Sequence, residues 1–126
     1  MFRRAFQAPL PLEKVQNPLI LVGIVACNMV FNILANVFFK YSTTSASVPT
    51  FVAWQVVGNL AGFVTVITLT WLLKYIPLNV AFPLTTGLAV IGVYIFGSML
   101  FFKEPISSTQ LLGTLVIIIG IVLITG

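Results

Sequence analysis

From Pro18 onward the chain is filled by four long apolar stretches, and none of them contains Asp, Glu or His. A bilayer core takes about 20 apolar residues per helical span, and the chain supplies such segments at 19–39, 51–73, 78–102 and 106–124. In hydrocarbon every backbone amide and carbonyl must be bonded internally, which leaves helices and closed barrels as the spanning forms. Barrel strands run about 10 residues with alternating polarity, whereas 19–29 and 111–124 are almost unbroken apolar runs. The expected fold class is therefore all-α: an integral membrane bundle of four transmembrane helices.

Soluble domains carry roughly a quarter charged residues. This chain of 126 residues has 6% charged and 60% hydrophobic, so lipid is its expected surroundings. What lies outside the spans is a basic arm at 1–17 and three short connections, and the expected organisation is that arm followed by one transmembrane domain, 18–126. Clusters of nucleophile, base and metal ligand are missing, which argues against an enzyme and against a cofactor or metal. Cys27 stands alone inside the first span and forms no disulfide within the chain. The net charge of +4 comes from Arg3, Arg4, Lys14, Lys40, Lys74 and Lys103, scattered at span edges. It reads as topogenic rather than nucleic-acid-binding. With the N-terminus inside, four of these cations face the cytoplasm against Lys40 and Lys103 outside, which favours both termini in. Arg3-Arg4-Ala5-Phe6 partly matches a twin-arginine signal, but no small-residue cleavage site follows, so the arm is expected to be retained, extended by Pro9 and Pro11.

Pro18, Pro49, Pro77 and Pro105 stand at or just before the apolar segments, where a missing N–H is harmless because the first helical turn leaves such donors unpaired. Trp54 and Trp71 are 17 residues apart, about 25 Å along a helix, and can mark the two interfaces of one span. Phe38, Phe39, Tyr41 and Phe51 gather at one rim, and Tyr75 joins Trp71 at the other.

Within this apolar background the polar residues are conspicuous. Asn28, Asn32, Asn36 and Lys40 recur every fourth residue and form one slowly winding stripe on the first helix. An amide facing hydrocarbon leaves donors and acceptors unpaired, so the stripe is expected to face other helices or a wet cavity. Two roles follow. The amides are interhelical glue, or they line a route for a polar head group with Lys40 at the rim as counter-charge for an anion such as phosphate. Asn59 on the second helix, four residues after Gln55, is expected to join them, while Gly58 and Gly62 form a GxxxG at which two helices approach closely. On the third helix Pro83 is expected to bend the segment ahead of Thr85, Thr86 and Gly87, and Tyr94 follows as a buried phenol that needs a partner. Gly113 and Gly120 share one face of the fourth helix and read as a packing seam between helices or subunits.

Ala81-Phe82-Pro83, Lys103-Glu104-Pro105-Ile106-Ser107 and Gln110-Leu111-Leu112-Gly113 with Gly120 resemble the end of an EamA-type unit of the drug/metabolite transporter superfamily. The four-span length resembles its small members, the small multidrug resistance proteins and the subunits held to flip undecaprenyl-phosphate-linked aminoarabinose. Small multidrug resistance pumps also resemble the chain at Lys40-Tyr41-Ser42, and counting back to their membrane glutamate lands on Asn32. An amide cannot exchange a proton or neutralise a cationic drug. Their aromatic-Ser-Gly segment corresponds to Thr85-Thr86-Gly87, without the aromatic platform, while Phe82-Pro83 is similar to the flippase-like subunits.

The resemblance implies a small transporter or flippase subunit for a polar or lipid-linked glycolipid substrate, located in a bacterial cytoplasmic membrane. Four short helices enclose little space, so a homodimer or heterodimer is expected to form the cavity. The alternative is a non-transporting accessory subunit packed by its glycine faces into a larger membrane complex.

Overall fold

A computed structural model describes residues 17–126. Four helices follow one another, with no strand among the described residues. They are α1 (Pro18–Thr43), α2 (Val48–Leu72), α3 (Leu78–Gly92, continued by a π-helical segment Val93–Phe101) and α4 (Ser108–Thr125). All four are long and apolar enough to cross a membrane. The basic arm expected at 1–17, with its retained twin arginines, lies outside the described residues except for Asn17.

Local chemistry sets the ends of these helices. Asn17 Oδ1 accepts from the Leu19 N–H at 3.0 Å, with Pro18 in the first turn. Ser47 Oγ caps the Thr50 N–H, with Pro49 in the first turn of α2. At α4 the cap is reciprocal: Ser107 Oγ accepts from the Gln110 N–H at 3.2 Å, and Gln110 Oε1 accepts from the Ser107 N–H at 2.9 Å. This capping box satisfies two donors that a helix start leaves open, and it starts α4 at Ser108 rather than at 106. α1 outruns its apolar stretch by a full turn, to Thr43. The Ser42, Thr43 and Thr44 hydroxyls donate back to the Phe39, Lys40 and Tyr41 carbonyls and satisfy the last turn.

α3 departs from the sequence expectation. Its α-helical geometry runs through Pro83 to Gly92, and the irregular part is Val93–Phe101. There the hydrogen bonds skip a residue further, as in the Phe102 N–H to the Gly97 carbonyl at 3.1 Å.

α1 and α2 form an antiparallel hairpin with the most extensive interface in the molecule, and α3 lies against α1. At one end of the hairpin Leu72 and Ala81 are almost completely buried with Ile24, and Tyr75 and Ile76 pack around them. At the other end Trp54 stacks on Phe38 and Tyr41, with centroids 5.8 and 5.2 Å apart, and Phe102 closes on Tyr41 at 5.2 Å. The aromatic rim expected around Phe38 and Tyr41 is thus a cluster joining α1, α2 and the end of α3. α4 touches only α3 and buries none of its residues.

The glycine contacts differ from the expected seams. A Cβ at Gly58 would stand 2.5 Å from the Phe39 ring, so half of the GxxxG is used, but Gly62 meets nothing within 4 Å. Gly113 and Gly120 likewise meet nothing. The other close approaches are made by Gly87, which faces Ile117 and Ile121 of α4, and by Gly92, which faces Met29 and Ile33 of α1. The expected seam on α4 is therefore open within the protomer, because α4 meets α3 through isoleucines lodged at a glycine of α3.

Candidate functional site

The stripe on α1 turns inward. Asn28 is buried, and its Nδ2 donates across to α2, to the Thr65 carbonyl at 2.9 Å and to Thr68 Oγ1 at 3.0 Å. Asn32 Nδ2 donates to the Asn28 carbonyl at 3.1 Å and to Asn28 Oδ1 at 3.0 Å. Asn36, which is exposed, donates to the Asn32 carbonyl at 2.9 Å. The amides therefore form a ladder with its foot anchored in α2 and its top open. Both Nδ2 protons of Asn28 are committed to α2, and its Oδ1 accepts from Asn32, so this residue acts as glue between helices. Asn32 Oδ1 and Asn36 Oδ1 accept from no donor among the described residues.

The ladder forms one wall of a cleft of about 500 Å³ bounded by α1, α2 and α3. Thr85 and Thr86 stand on the α3 wall, but their roles divide. Thr85 is buried and back-bonds to the Ala81 carbonyl at 2.9 Å, while Thr86 is exposed and keeps its hydroxyl for the cleft. Ser98 lines the cleft from the π-helical segment. Tyr94 also lines it, and its hydroxyl is the one buried side-chain polar atom without a hydrogen-bond partner among the described residues. The lips are apolar: Val66 on α2 and Phe82 and Val90 on α3 are all strongly exposed. α2 and α3 touch little, so the cleft opens between them. No carboxylate or histidine among the described residues lines it.

One expected member takes another position and one has a partner. Asn59 does not reach the ladder: it is exposed on a different face of α2, donates to the Gln55 carbonyl at 2.7 Å, and lies in a separate groove with Val52, Val56, Leu60 and Phe63. Gln55 lines this groove as well, while its Nε2 donates to Ser42 Oγ of α1 at 2.9 Å. Lys40 lies at the rim as expected, but it is not free. Its Nζ stands 4.0 Å from Glu104 Oε1.

Sequence reasoning missed Thr65, Thr68 and Ser98. The signal for the first two was present as hydroxyls on one side of α2, but each bonds its own helix backbone, and that usual fate of a helical Thr hides a second role. Thr68 Oγ1 donates to the Val64 and Thr65 carbonyls and accepts from Asn28 as well.

The family model for Small Multidrug Resistance protein matches residues 20–123, which spans all four helices. No solved structure matches the chain.

Proposed function

Because the chain belongs to the small multidrug resistance family of membrane transporters, we propose that it is a transporter or flippase subunit for a polar, lipid-linked head group and not a proton-coupled exporter of cationic drugs. The observation that carries this reading is the composition of the cleft. Its floor offers the Oδ1 acceptors of Asn32 and Asn36 and the hydroxyls of Thr86 and Ser98, and its lips offer Val66, Phe82 and Val90. Amides and hydroxyls pair with sugar hydroxyls, and exposed apolar lips let a hydrocarbon tail remain in lipid while the head group is sheltered. A cationic drug would find no carboxylate within this cleft to neutralise it, and the nearest described acid, Glu104, stands at the adjoining rim beside the Lys40 ammonium.

The resemblance of Phe82-Pro83 and of the 103–113 segment to EamA-type and flippase-like subunits supports the same direction. We also assign the working unit as a dimer, of two copies or of this chain with a similar one. The cleft is open on one side, and α4 carries an unpartnered face that includes Gly113 and Gly120.

Proteoliposomes test the reading. A fluorescent short-chain glycosyl phospholipid should cross the bilayer in a protein-dependent way, slowed about tenfold in Asn32→Leu through loss of its acceptor and of the ladder above Asn28. A gradient of tetraphenylphosphonium should drive no proton flux. Drug-driven proton movement that disappears in Asn32→Ala would overturn the proposal.

A further inference from the structure

The cleft continues past Asn36. A smaller cavity of about 150 Å³ shares Asn36, Val93 and Ser98 with it as a common wall, and its remaining polar lining is Lys40 and Glu104. Its donors are the Lys40 ammonium, the Ser98 hydroxyl and the second Nδ2 proton of Asn36, whose first is used on the Asn32 carbonyl. Three donors of this kind around one small space, one of them charged, suit an oxyanion.

An anion already stands at its edge. Glu104 belongs to the loop between α3 and α4, and two features hold it there. Its backbone N–H donates to the Ser98 carbonyl at 2.8 Å, and the preceding residue, Lys103, adopts a φ of 48°, a conformation that a side chain of its size disfavours. The loop thus accepts backbone strain while bringing a carboxylate toward Lys40. Yet the resulting pair is long, 4.0 Å, and each partner is about half exposed, at 51% and 47%. Such a pair contributes little to stability, so the strain does not have a strong ion pair to offset it. Lys103 adds a second cation to the same loop, and Lys40 and Lys103 against Glu104 leave this rim with one positive charge in excess.

We propose that this cavity is an anion subsite that takes the phosphate of the transported head group, and that Glu104 is its internal surrogate. A phosphodiester that joins a sugar to a lipid carries one negative charge on two free acceptor oxygens, each with more than one lone pair, and its charge-assisted hydrogen bonds are stronger than neutral ones. It would engage Lys40, Ser98 and Asn36 together, where the carboxylate reaches Lys40 alone. On its arrival Glu104 is displaced, and the loop is free to leave the left-handed conformation at Lys103. The inference rests on the head-group reading of the adjoining cleft and adds the charge that the head group bears: a sugar or similar polar group over the asparagine ladder, with its phosphate at the rim. No bond is made or broken; the step is an exchange of one anion for another at Lys40.

The test uses the full chain in a polyoxyethylene detergent, free of phosphate and sugar, with ³¹P resonance shifts of inorganic phosphate and of farnesyl phosphate as readouts. Both probes should bind the natural chain. Lys40→Met should weaken both about tenfold, Lys40→Arg should retain them, and Glu104→Gln should tighten both by roughly two- to fivefold as the competing carboxylate is removed. Helical circular dichroism and a monodisperse elution profile confirm that each variant is folded. Tighter binding of farnesyl phosphate identifies a lipid as the source of the anion, and equal affinities identify a free anion; either supports the subsite. Binding of neither probe, binding indifferent to Lys40→Met, or weaker binding in Glu104→Gln would overturn it. Because this readout requires no transport, phosphate binding through Lys40 without head-group translocation refutes the transport reading alone, and translocation without phosphate binding refutes the subsite alone.

Discussion

Three asparagines on one helix stripe have three different duties, set by where their protons go. Asn28 gives both Nδ2 protons to α2, Asn32 gives its own to Asn28, and Asn36 gives one to Asn32 and is exposed to the cleft. Interhelical hydrogen bonds in membranes average about 0.6 kcal/mol and reach about 1.7 kcal/mol. Asn28→Ala should therefore destabilise the protomer by about 1–2 kcal/mol in a sodium dodecyl sulfate titration followed by tryptophan fluorescence. Asn36→Ala should shift the midpoint little. A double-mutant cycle of Asn28→Ala with Thr68→Ala should return a coupling of about 0.6 kcal/mol, and a coupling near zero would remove Thr68 from the anchor. The stripe itself was legible because a spacing of four residues places side chains on one face. Its division into glue and ligand groups was not, because the deciding partners, Thr65 and Thr68, sit on another helix some forty residues along the chain.

At the scale of the helix, apolar length and the prolines at the segment starts were enough to indicate four spanning helices, since lipid leaves the backbone few alternatives. What resisted reading was which glycine meets which helix. GxxxG and a seven-residue glycine repeat both describe a smooth face, and a smooth face packs only if a neighbour arrives there. In the protomer a neighbour arrives at Gly58, Gly87 and Gly92, while Gly62, Gly113 and Gly120 stay open. A Cβ at Gly92 would stand 2.8 Å from Met29 Cε and 3.0 Å from Ile33 Cδ1. These are flexible side-chain ends, so Gly92→Ala should be absorbed by small shifts, whereas Gly92→Val should separate α1 from α3 and destabilise by about 1–3 kcal/mol. Gly113→Val meets nothing in the protomer and should leave its unfolding midpoint unchanged. The same substitution should lower the dimer fraction measured by energy transfer between labelled copies, since it roughens the α4 face assigned to association. An unchanged dimer fraction would move the interface off this face. The placement of the irregular stretch in α3 was equally hidden: proline announces a missing donor at Pro83, but the longer-skipping hydrogen bonds lie beyond it, between Gly92 and Phe102.

Across the whole molecule few of the described side chains are buried within the protomer, and α4, which packs on α3 through Ile117 and Ile121, has no fully buried residue. Positive charge at the edges of spans is the feature that directs how helices insert. With the N-terminus inside, Arg3, Arg4, Lys14 and Lys74 oppose Lys40 and Lys103. Arg3 and Arg4 lie about 15 residues from the first span, at the limit over which positive charge directs insertion. Without them the count is two against two, Lys14 and Lys74 against Lys40 and Lys103. The bias is therefore small enough for one or two charges to tip it, and the choice between parallel and antiparallel copies turns on the same balance. Paired C-terminal reporters make this measurable, with green fluorescent protein active only in the cytoplasm and alkaline phosphatase only outside. The natural chain should report its C-terminus predominantly inside. Arg3→Gln combined with Arg4→Gln should raise the outside signal toward parity, and adding Thr44→Lys and Ser45→Lys in the α1–α2 connection should make the outside signal dominant. Reporter ratios that do not move with these charges would show that packing, not the charge flanking the spans, sets how the protein lies in the bilayer.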